Sequence, residues 1–534
     1  MAQAAAILMD VTTAPETLPS DPDELRALLL AERVRHAAEL VAARSSAEEE
    51  IARLRQIIRE LQRHRFGRRA ERLDPDQLAL ALEDLEQTLA ATEAEPTGST
   101  ATKPAPSPPR RRVNRGNLPA DLPREEILID VADKTCPCCG GMLHPIGEDV
   151  SQRLDLIPAR FRVLVTRRPK YACRRCEEGV VQAAAPARIV DAGIPTEALI
   201  AHVLVSKFAD HLPLYRQAQI YARQGVDLDR STLADWVGRA AWYLRPLHER
   251  LLGSLKASGK LFADETTAPV LDPGRGSTKT GQLWAYARDD RPWNGPEPPA
   301  VAYVYAPDRK AERPVIHLQG FTGVLQVDGY AGYRKLAEGG AVRLAFCWAH
   351  VRRGFYDLQT GGSAPIASEA LRRIAQLYAV EAEIRGRDAE ARRRERQARS
   401  TPLIAELKAW LEKQLATVSR KSTVAEAIRY ALSRWEGLTL FLDDGRVEID
   451  SNSVERSIRP LALTRKNALF AGSDGGGEHW ATIASLVETC KLSGVDPQAW
   501  FADILTKLAS GHPITRLDEL LPWSYARQAE TAVA

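Results

Sequence analysis

The chain has 534 residues, in which 73 lysines and arginines stand against 70 aspartates and glutamates, giving a net charge of +3. At roughly 150 residues per domain, this length predicts three or four folded units. The near balance of charges excludes a protein that coats nucleic acid with one uniformly basic surface. Any contact with a polyanion therefore has to come from local basic clusters, such as those at 63–72, 109–116, 385–399 and 456–466.

The first residues, MAQAAAILMDV, lack the features of a targeting segment. No basic region precedes the short apolar run, as a signal peptide requires. The sequence also contains no stretch of about 18 apolar residues that could cross a membrane. We therefore expect a cytoplasmic protein with no membrane partner.

Residues 21–94 form the first predicted module. The segment up to about residue 65 is rich in Ala, Leu, Glu and Arg, a composition that favours a long helix. Leu54, Ile58 and Leu61 follow the three-four spacing of a coiled-coil seam, which Arg44 interrupts. This zipper-like pattern predicts self-association, and a helix packed on its own protein is the alternative. The Pro-, Ser- and Thr-rich residues 95–117 are predicted to be a flexible linker.

Two C-x2-C pairs mark the next module, residues 118–190. The four thiolates of Cys136, Cys139, Cys173 and Cys176 would complete the tetrahedral shell of one Zn²⁺ ion. Such paired spacing in an intracellular protein favours metal over disulfides, and redox chemistry is the alternative. We predict a β-rich zinc ribbon with a structural ion, because four cysteines leave no coordination position for a substrate.

Residues 191–256 are predicted to be three helices, with a turn near 223–230. Ser231 or Thr232 is expected to cap the last helix, which runs to about Leu252. This arrangement suits a helix-turn-helix that enters a DNA groove. Ordinary packing of three helices explains the same pattern equally well.

The pattern changes after Gly259 to short apolar runs separated by turn residues. The expected chain order is three strands, a helix, a strand, a helix and a strand, which predicts a mixed α/β sheet. The predicted strands are 260–266, 281–288, 300–306, 323–329 and 342–347.

Three carboxylates in and after this region are candidates for one metal site. Asp264 and Asp328 each lie near the end of a predicted strand, where a lone aspartate is usually a turn former. Glu455 lies in DSNSVERSIRP, a probable helix, where a solvated salt-bridged face is the plain alternative. Brought together, the three would suit Mg²⁺ or Mn²⁺ and metal-dependent chemistry on a phosphodiester.

Several ordered motifs together resemble one protein family. These are FGRRAERL, ADET, VDGYAGY, CWAHVRR, NSVERSIRPLALTRKNALFAGSDGGGE and GVDPQAWFADIL. In this order, over nearly the whole chain, they are similar to the transposases of the bacterial insertion sequence 66 family. Any one motif would be weak evidence, but the set is specific.

The resemblance implies a multidomain α+β protein with a ribonuclease H-like α/β catalytic core. The core would comprise 257–357 and 447–480, interrupted by a helical insertion at 358–446 and followed by a helical C-terminal region at 481–534. Its acidic triad maps onto Asp264, Asp328 and Glu455. Cys347 and His350 correspond to a C-x2-H element that we take as structural support. Family members commonly have asparagine where this chain has Ser451.

The implied function is a DDE transposase that binds the element's ends, cuts them and joins the freed 3′-hydroxyl to target DNA. Mg²⁺ (or Mn²⁺) would be the catalytic cofactor, DNA the partner and a dimer or higher homo-oligomer the assembly, with accessory proteins of the same element as further candidates. The predicted DNA contacts are Arg68, Arg69, Arg456, Arg459, Arg465 and Lys466. A nuclease that cuts without joining, and a catalytically silent DNA-binding regulator, are the rival functions.

Overall fold

The computed structural model describes residues 160–172, 180–191, 193–272, 276–360 and 364–533. The predicted N-terminal helices and linker lie outside the described residues, as do Arg68 and Arg69 and the four predicted zinc ligands. The described part begins with a short antiparallel hairpin of strands β1 (Lys170–Ala172) and β2 (Val180–Gln182), in which Tyr171 pairs with Val181.

Three helices follow the hairpin: α1 (Glu197–Phe208), α2 (Leu214–Arg223) and α3 (Arg230–Lys256). Thr196 caps α1 by accepting the Leu199 amide with its hydroxyl at 3.2 Å. The predicted cap of the third helix is wrong. Asp229 occupies the N-cap position and the helix begins at Arg230, so Ser231 and Thr232 lie inside its first turn.

A five-stranded mixed sheet is at the centre of the described residues. Its spatial order is β5-β4-β3-β6-β7, with β3 paired antiparallel to β4 and parallel to β6. Five strands appear where the sequence predicted them, in the predicted chain order. The strands are β3 (Lys260–Val270), β4 (Lys279–Arg288), β5 (Ala300–Ala306), β6 (Gly323–Val327) and β7 (Val342–Phe346).

Short helices, α4 (Glu312–His317) and α5 (Arg334–Ala337), connect the last strands. A group of six helical segments then separates β7 from the last part of the chain. It has its own hydrophobic cluster, which also takes in Val324 of β6 and Ala345 of β7. The segments are α6 (Trp348–Thr360), α7 (Pro365–Ile384), α8 (Ala389–Glu395) with the π-helical turn Arg396–Ser400, α9 (Thr401–Thr417), α10 (Thr423–Leu432) and α11 (Trp435–Asp443).

Four further helices complete the described chain: α12 (Asn452–Ala468), α13 (Asp474–Leu492), α14 (Pro497–Ala509) and α15 (Pro522–Val533). α13 covers the edge strand β5. The Ser485 hydroxyl accepts the Tyr303 amide at 2.7 Å, and the Thr489 hydroxyl donates to the Val301 carbonyl at 3.0 Å. These bonds satisfy backbone groups that an open sheet edge would leave unpaired.

The end of α12 is fixed to the central strand. The Ala471 amide donates to the Pro269 carbonyl, and the Leu271 amide donates to the Ala471 carbonyl, each at 2.8 Å. The helix therefore has a defined position against β3. Among the helices of the described residues, none has the length and apolar character needed to cross a membrane.

Candidate active site

Asp264 lies on the central strand β3, half-buried, two residues beyond the last paired position with β6. That last pair joins Phe262 to Gln326 in parallel register. Asp328 lies two residues beyond Gln326, so the two aspartates occupy equivalent positions on neighbouring strands. Because alternate residues of a strand share a face, the register places both aspartates on the same face of the sheet.

The turn after β6 holds Asp328 in place. Its carboxylate accepts the Tyr330 amide at 2.8 Å, and its backbone carbonyl accepts the Tyr430 hydroxyl of α10 at 2.9 Å. Gly329 between them has a φ of +107°, and a Cβ atom there would lie 2.7 Å from Nε of Arg434. The glycine of the VDGY motif is thus required both by backbone conformation and by space.

Glu455 lies in the first turn of α12 and is 7% exposed. Its Oε1 accepts the Ser451 hydroxyl at 2.9 Å. Ser451 occupies the N-cap position of α12 but makes no side-chain bond to the helix backbone. The serine at this family-divergent position therefore orients the carboxylate rather than capping the helix.

A side-chain clamp fixes the segment that leads into α12. The fully buried Gln326 donates its amide to the carbonyls of Glu448 and Asp450, at 2.7 and 2.8 Å, and accepts the Glu448 amide at 3.2 Å. The segment therefore lies alongside β6, next to the strand end that carries Asp328. This contact fixes the start of the helix that carries Glu455.

The charges of Asp328 and Glu455 both act on Asp264. Burial, followed by the negative charges of Glu265, Asp328 and Glu455, raises the pKa of Asp264 well above its usual value. A group of carboxylates without matching cations resists full ionisation. Its all-oxygen donor set and surplus negative charge fit the preferences of Mg²⁺ or Mn²⁺.

The sequence analysis missed a fourth carboxylate, Glu265, whose side chain is 2% exposed. Nε of Arg309 donates to it at 2.8 Å, and the Tyr333 hydroxyl donates at 2.9 Å. Burial raises the pKa of Glu265, and Arg309 acts in the opposite direction. The ADET motif placed this glutamate beside Asp264, but nothing local in the sequence indicated Arg309 as its partner.

The predicted basic residues of α12 lie in different environments. Arg456 and Lys466 are exposed, and Arg459 is half-buried. Arg465 is 8% exposed, and its guanidinium donates to the Thr267 carbonyl at 2.8 Å and to the Thr266 hydroxyl at 3.2 Å. The visible role of Arg465 is thus to hold α12 on β3, and its contact with DNA stays a prediction.

The C-x2-H pair lies beside the third carboxylate. Cys347 follows β7 directly and is buried, while His350 lies on α6 with its side chain 26% exposed. The Nδ1 atom of His350 is 3.9 Å from Oε1 of Glu455, and the Ser451 amide donates to the Cys347 sulfur at 3.3 Å. The C-x2-H pair, which was expected to support the core, therefore also lies beside Glu455 of the candidate site.

The fold places a cluster of carboxylates on a mixed sheet. The family model described as Transposase IS66 family matches residues 192–479, just over half of the chain. Three more models match in the same arrangement: the Transposase C of IS166 homeodomain at 53–127, the zinc-finger binding domain of transposase IS66 at 133–177 and the IS66 C-terminal element at 485–523.

The chain therefore belongs to the IS66 transposase family, as its motifs indicated. Membership implies a transposase whose partner is DNA. The zinc-finger match spans all four predicted cysteine ligands, Cys136, Cys139, Cys173 and Cys176, and supports a structural zinc ion in that region.

Similar proteins of full length occur in Sinorhizobium fredii (strain NBRC 101917 / NGR234). The uncharacterized protein y4qI is 46% identical, with 96% of this chain and 98% of the relative covered. The uncharacterized protein y4jD is also 46% identical, with 96% of this chain and 97% of the relative covered. Both carry uncharacterized names, so the functional assignment depends on the family and on the site.

Proposed function

We propose that this protein is a DDE transposase that binds insertion-sequence ends and catalyses metal-dependent strand cleavage and strand transfer. The observation that carries the proposal is the placement of Asp264 and Asp328, each two residues beyond the Phe262–Gln326 pair, beside the Gln326 clamp on the segment that leads to Glu455. Two of these residues come from adjacent strands and the third from a helix that packs on the same sheet. The strand order, with β3 central between antiparallel and parallel neighbours, supports the ribonuclease H-like assignment.

The three carboxylates would hold the divalent cations. When bound, these cations supply Lewis-acid activation of the attacking oxygen and charge stabilisation at the leaving oxygen of an in-line displacement. Asp264 would provide a ligand from within β3, Asp328 from the turn after β6, and Glu455 from a helix. Little covalent chemistry is left to the protein, so its contribution is mainly positioning.

Neighbouring side chains keep these carboxylates available. The Ser451 hydroxyl orients Glu455, and Tyr430 and the Tyr330 amide fix the turn that carries Asp328. Arg309 neutralises Glu265, which would otherwise add a fourth negative charge at the site. Arg309 is itself half-exposed and lies 4.2 Å above the ring of Tyr330.

DNA would approach along the outer face of α12. Arg456 and Lys466 are exposed there and, with the half-buried Arg459, are the proposed contacts to backbone phosphates. Such contacts position the DNA without reading its sequence. End recognition is assigned to other modules, with α1–α3 and the region of Arg68 and Arg69 as candidates. Pairing two ends calls for at least two protomers.

The test is joining of a pre-cleaved labelled end to plasmid DNA in Mg²⁺, with binding measured separately in Ca²⁺. Asp264→Asn, Asp328→Asn and Glu455→Gln should each reduce joining by at least about 1000-fold, equivalent to about 4 kcal/mol of barrier. Binding should stay unchanged, because affinity depends on phosphate contacts elsewhere. Glu249→Gln, an exposed carboxylate on α3 that is 69% exposed, is the matched control and should join normally.

The outcomes separate the rival functions. A nuclease with the same core would cleave DNA in the wild type but never join the labelled end, and its carboxylate variants would do neither. A DNA-binding regulator would bind the ends and show neither reaction. Joining that survives Glu455→Gln would remove Glu455 from the triad.

A further inference from the structure

Cys347, His350 and Glu455 converge where the end of β7 and the first turns of α6 and α12 meet. One ligand atom of each lies within 4.8 Å of the other two, namely Sγ, Nδ1 and a carboxylate oxygen. The separation between His350 Nδ1 and Glu455 Oε1 is 3.9 Å, which is too long for a hydrogen bond. These side chains therefore surround a small space rather than bond to one another.

The donor types indicate which ion would fit this space. A thiolate, an imidazole nitrogen and a carboxylate oxygen are the three ligand types that Zn²⁺ takes in proteins, whereas Mg²⁺ does not favour sulfur. We propose that Cys347, His350 and Glu455 form a binding site for one zinc ion. Three protein ligands leave the fourth tetrahedral position open to water.

The surrounding hydrogen bonds fit this site. The Ser451 amide donates to the Cys347 sulfur at 3.3 Å, and the Ser451 hydroxyl donates to Glu455 Oε1 at 2.9 Å. One residue thereby orients two of the three ligands, as outer partners of metal ligands commonly do. Sulfur and carboxylate each keep further lone pairs for a cation.

His350 gives a second, independent observation. Its Nδ1 atom is buried, and no described residue is its hydrogen-bond partner. A buried polar atom without a partner is costly, and proteins rarely leave one in that state. A zinc ion between the three side chains would supply the missing partner.

The site shares Glu455 with the proposed catalytic triad but needs none of the transposase chemistry. The zinc site depends only on three side chains and their geometry, so evidence against the proposed function would not be evidence against the site. Bound zinc would hold one oxygen of Glu455 and restrict the rotation of its carboxylate. The C-x2-H pair would then position a ligand of the catalytic site in addition to supporting the core.

The test is the zinc content of the purified full-length chain, measured by elemental analysis after zinc saturation and removal of free ions. The wild type should contain one zinc ion per chain more than Cys347→Ser and His350→Ala. Because the result is a difference, zinc held by the N-terminal cysteine pairs cancels. Cys490→Ser is the matched control, since Cys490 is also a buried free cysteine, and it should keep the wild-type zinc content.

Circular dichroism and unfolding midpoints should accompany each measurement. His350→Ala is the milder change because its side chain is already 26% exposed, so its zinc content decides the matter if Cys347→Ser does not fold. Equal zinc content in the wild type and folded His350→Ala would overturn the proposal. Equal zinc loss in Cys490→Ser would also overturn it, because the loss would then reflect general destabilisation.

Discussion

The protein buries two clusters of charge in opposite ways. The acidic cluster, made of Asp264, Glu265, Asp328 and Glu455, holds four carboxylates and one arginine partner, Arg309. The paired cluster lies between the inserted helices and the segment before α12, and its acidic side chains are paired with basic ones. Its members are Glu381, Arg392, Arg396 and Glu448, each less than 10% exposed.

Contacts in the paired cluster are close and mutual. The Arg396 guanidinium donates to both oxygens of Glu381, at 2.7 and 2.6 Å, and to the Phe441 carbonyl at 2.9 Å. Arg392 lies 2.7 Å from Glu448. Burial alone would raise the pKa of Glu448, but Arg392 and the nearby Lys260 bring it below its usual value.

The contrast distinguishes a buried charge cluster that stabilises the fold from one that is a candidate functional site. In the paired cluster the fold supplies its own cations, which lower the pKa of Glu448, and the ion pairs join elements together. In the acidic cluster burial and like charges raise the pKa of Asp264, a shift that is typical of functional sites. Each side of this contrast can be tested by substitution, beginning with the largest expected effect.

Removing a cation from the paired cluster should cost the most. Arg396→Ala leaves Glu381 buried without its main partner, and we expect the free energy of unfolding to fall by about 3–5 kcal/mol. Hydrogen exchange should show the loss of protection in α7 and α11, the elements that Arg396 joins. Urea unfolding of the full chain gives the size of the effect.

Two controls identify the cause. Arg399→Ala removes an arginine from the same π-helical turn, but its pair with Glu383 is about half-exposed, so the expected cost is below about 1 kcal/mol. The double change Arg396→Met with Glu381→Leu removes both charges and should recover most of the loss. A double variant as unstable as Arg396→Ala would show that packing, and not an unpaired charge, explains the effect.

The acidic cluster should respond to pH in the absence of metal. The folded-state pKa of Asp264 is raised, so its contribution to stability is complete below about pH 4, the unfolded-state value, and is lost as pH rises through the folded pKa. Asp450, whose pKa burial raises to about 6, acts in the same direction. Each proton involved changes stability by at most about 1.4 kcal/mol per pH unit.

The measurement is the stability of Asp264→Asn relative to the wild type in EDTA, from pH 4 to pH 8. The stability of the variant relative to that of the wild type should increase as pH rises, and Mg²⁺ should stabilise the wild type more than the variant. Glu448→Gln is the opposite case and should lose stability near neutral pH, because Glu448 has a lowered pKa. Parallel pH curves for Asp264→Asn and the wild type would contradict the assignment.

The exposed cations of α12 should have the smallest effect. Arg456→Ala and Lys466→Ala should each weaken DNA binding slightly and reduce the slope of log affinity against log salt by about 0.9 for each phosphate that the variant no longer neutralises. Arg516→Ala, 60% exposed and paired with Glu519, is the control and should leave the slope unchanged. Buried Arg465 should differ from both, because Arg465→Ala loosens α12 and lowers stability. An unchanged slope in both α12 variants would place the phosphate contacts elsewhere.

The strands were predictable because their signal is local. Residues 300–306, for example, form a short apolar run bounded by turn residues, and the structure has β5 at those residues. Helix boundaries were less exact. The helix predicted between the third and fourth strands is only the short α4, Glu312–His317, and α3 starts one residue before the predicted cap. Capping preferences of Asp, Ser and Thr are too similar for sequence alone to choose among three neighbouring candidates.

The site was predictable only in part. Asp328 follows a recognisable strand end and Glu455 lies in a distinctive motif, but Asp264, expected near a strand end, lies within β3, which continues to Val270. Arg309, Tyr430 and the contact of Ser451 with Cys347 depend on packing between residues far apart in the chain. The C-x2-H motif supplies only two candidate metal ligands, and the third, Glu455, lies more than 100 residues later in the chain. Helical spacing also did not show that Arg465 faces β3.

The Gln326 clamp has a consequence for how the protein is made. This residue bonds to backbone groups 122 and 124 residues further along the chain. While the ribosome is still producing the inserted helices, β3 and β6 can already pair and bring two aspartates together, but Glu455 does not yet exist. A chain released before residue 447 therefore lacks both the partner of Gln326 and the third carboxylate. The proposed strand transfer would then be reserved for nearly finished chains, because incomplete translation products lack one of its three carboxylates.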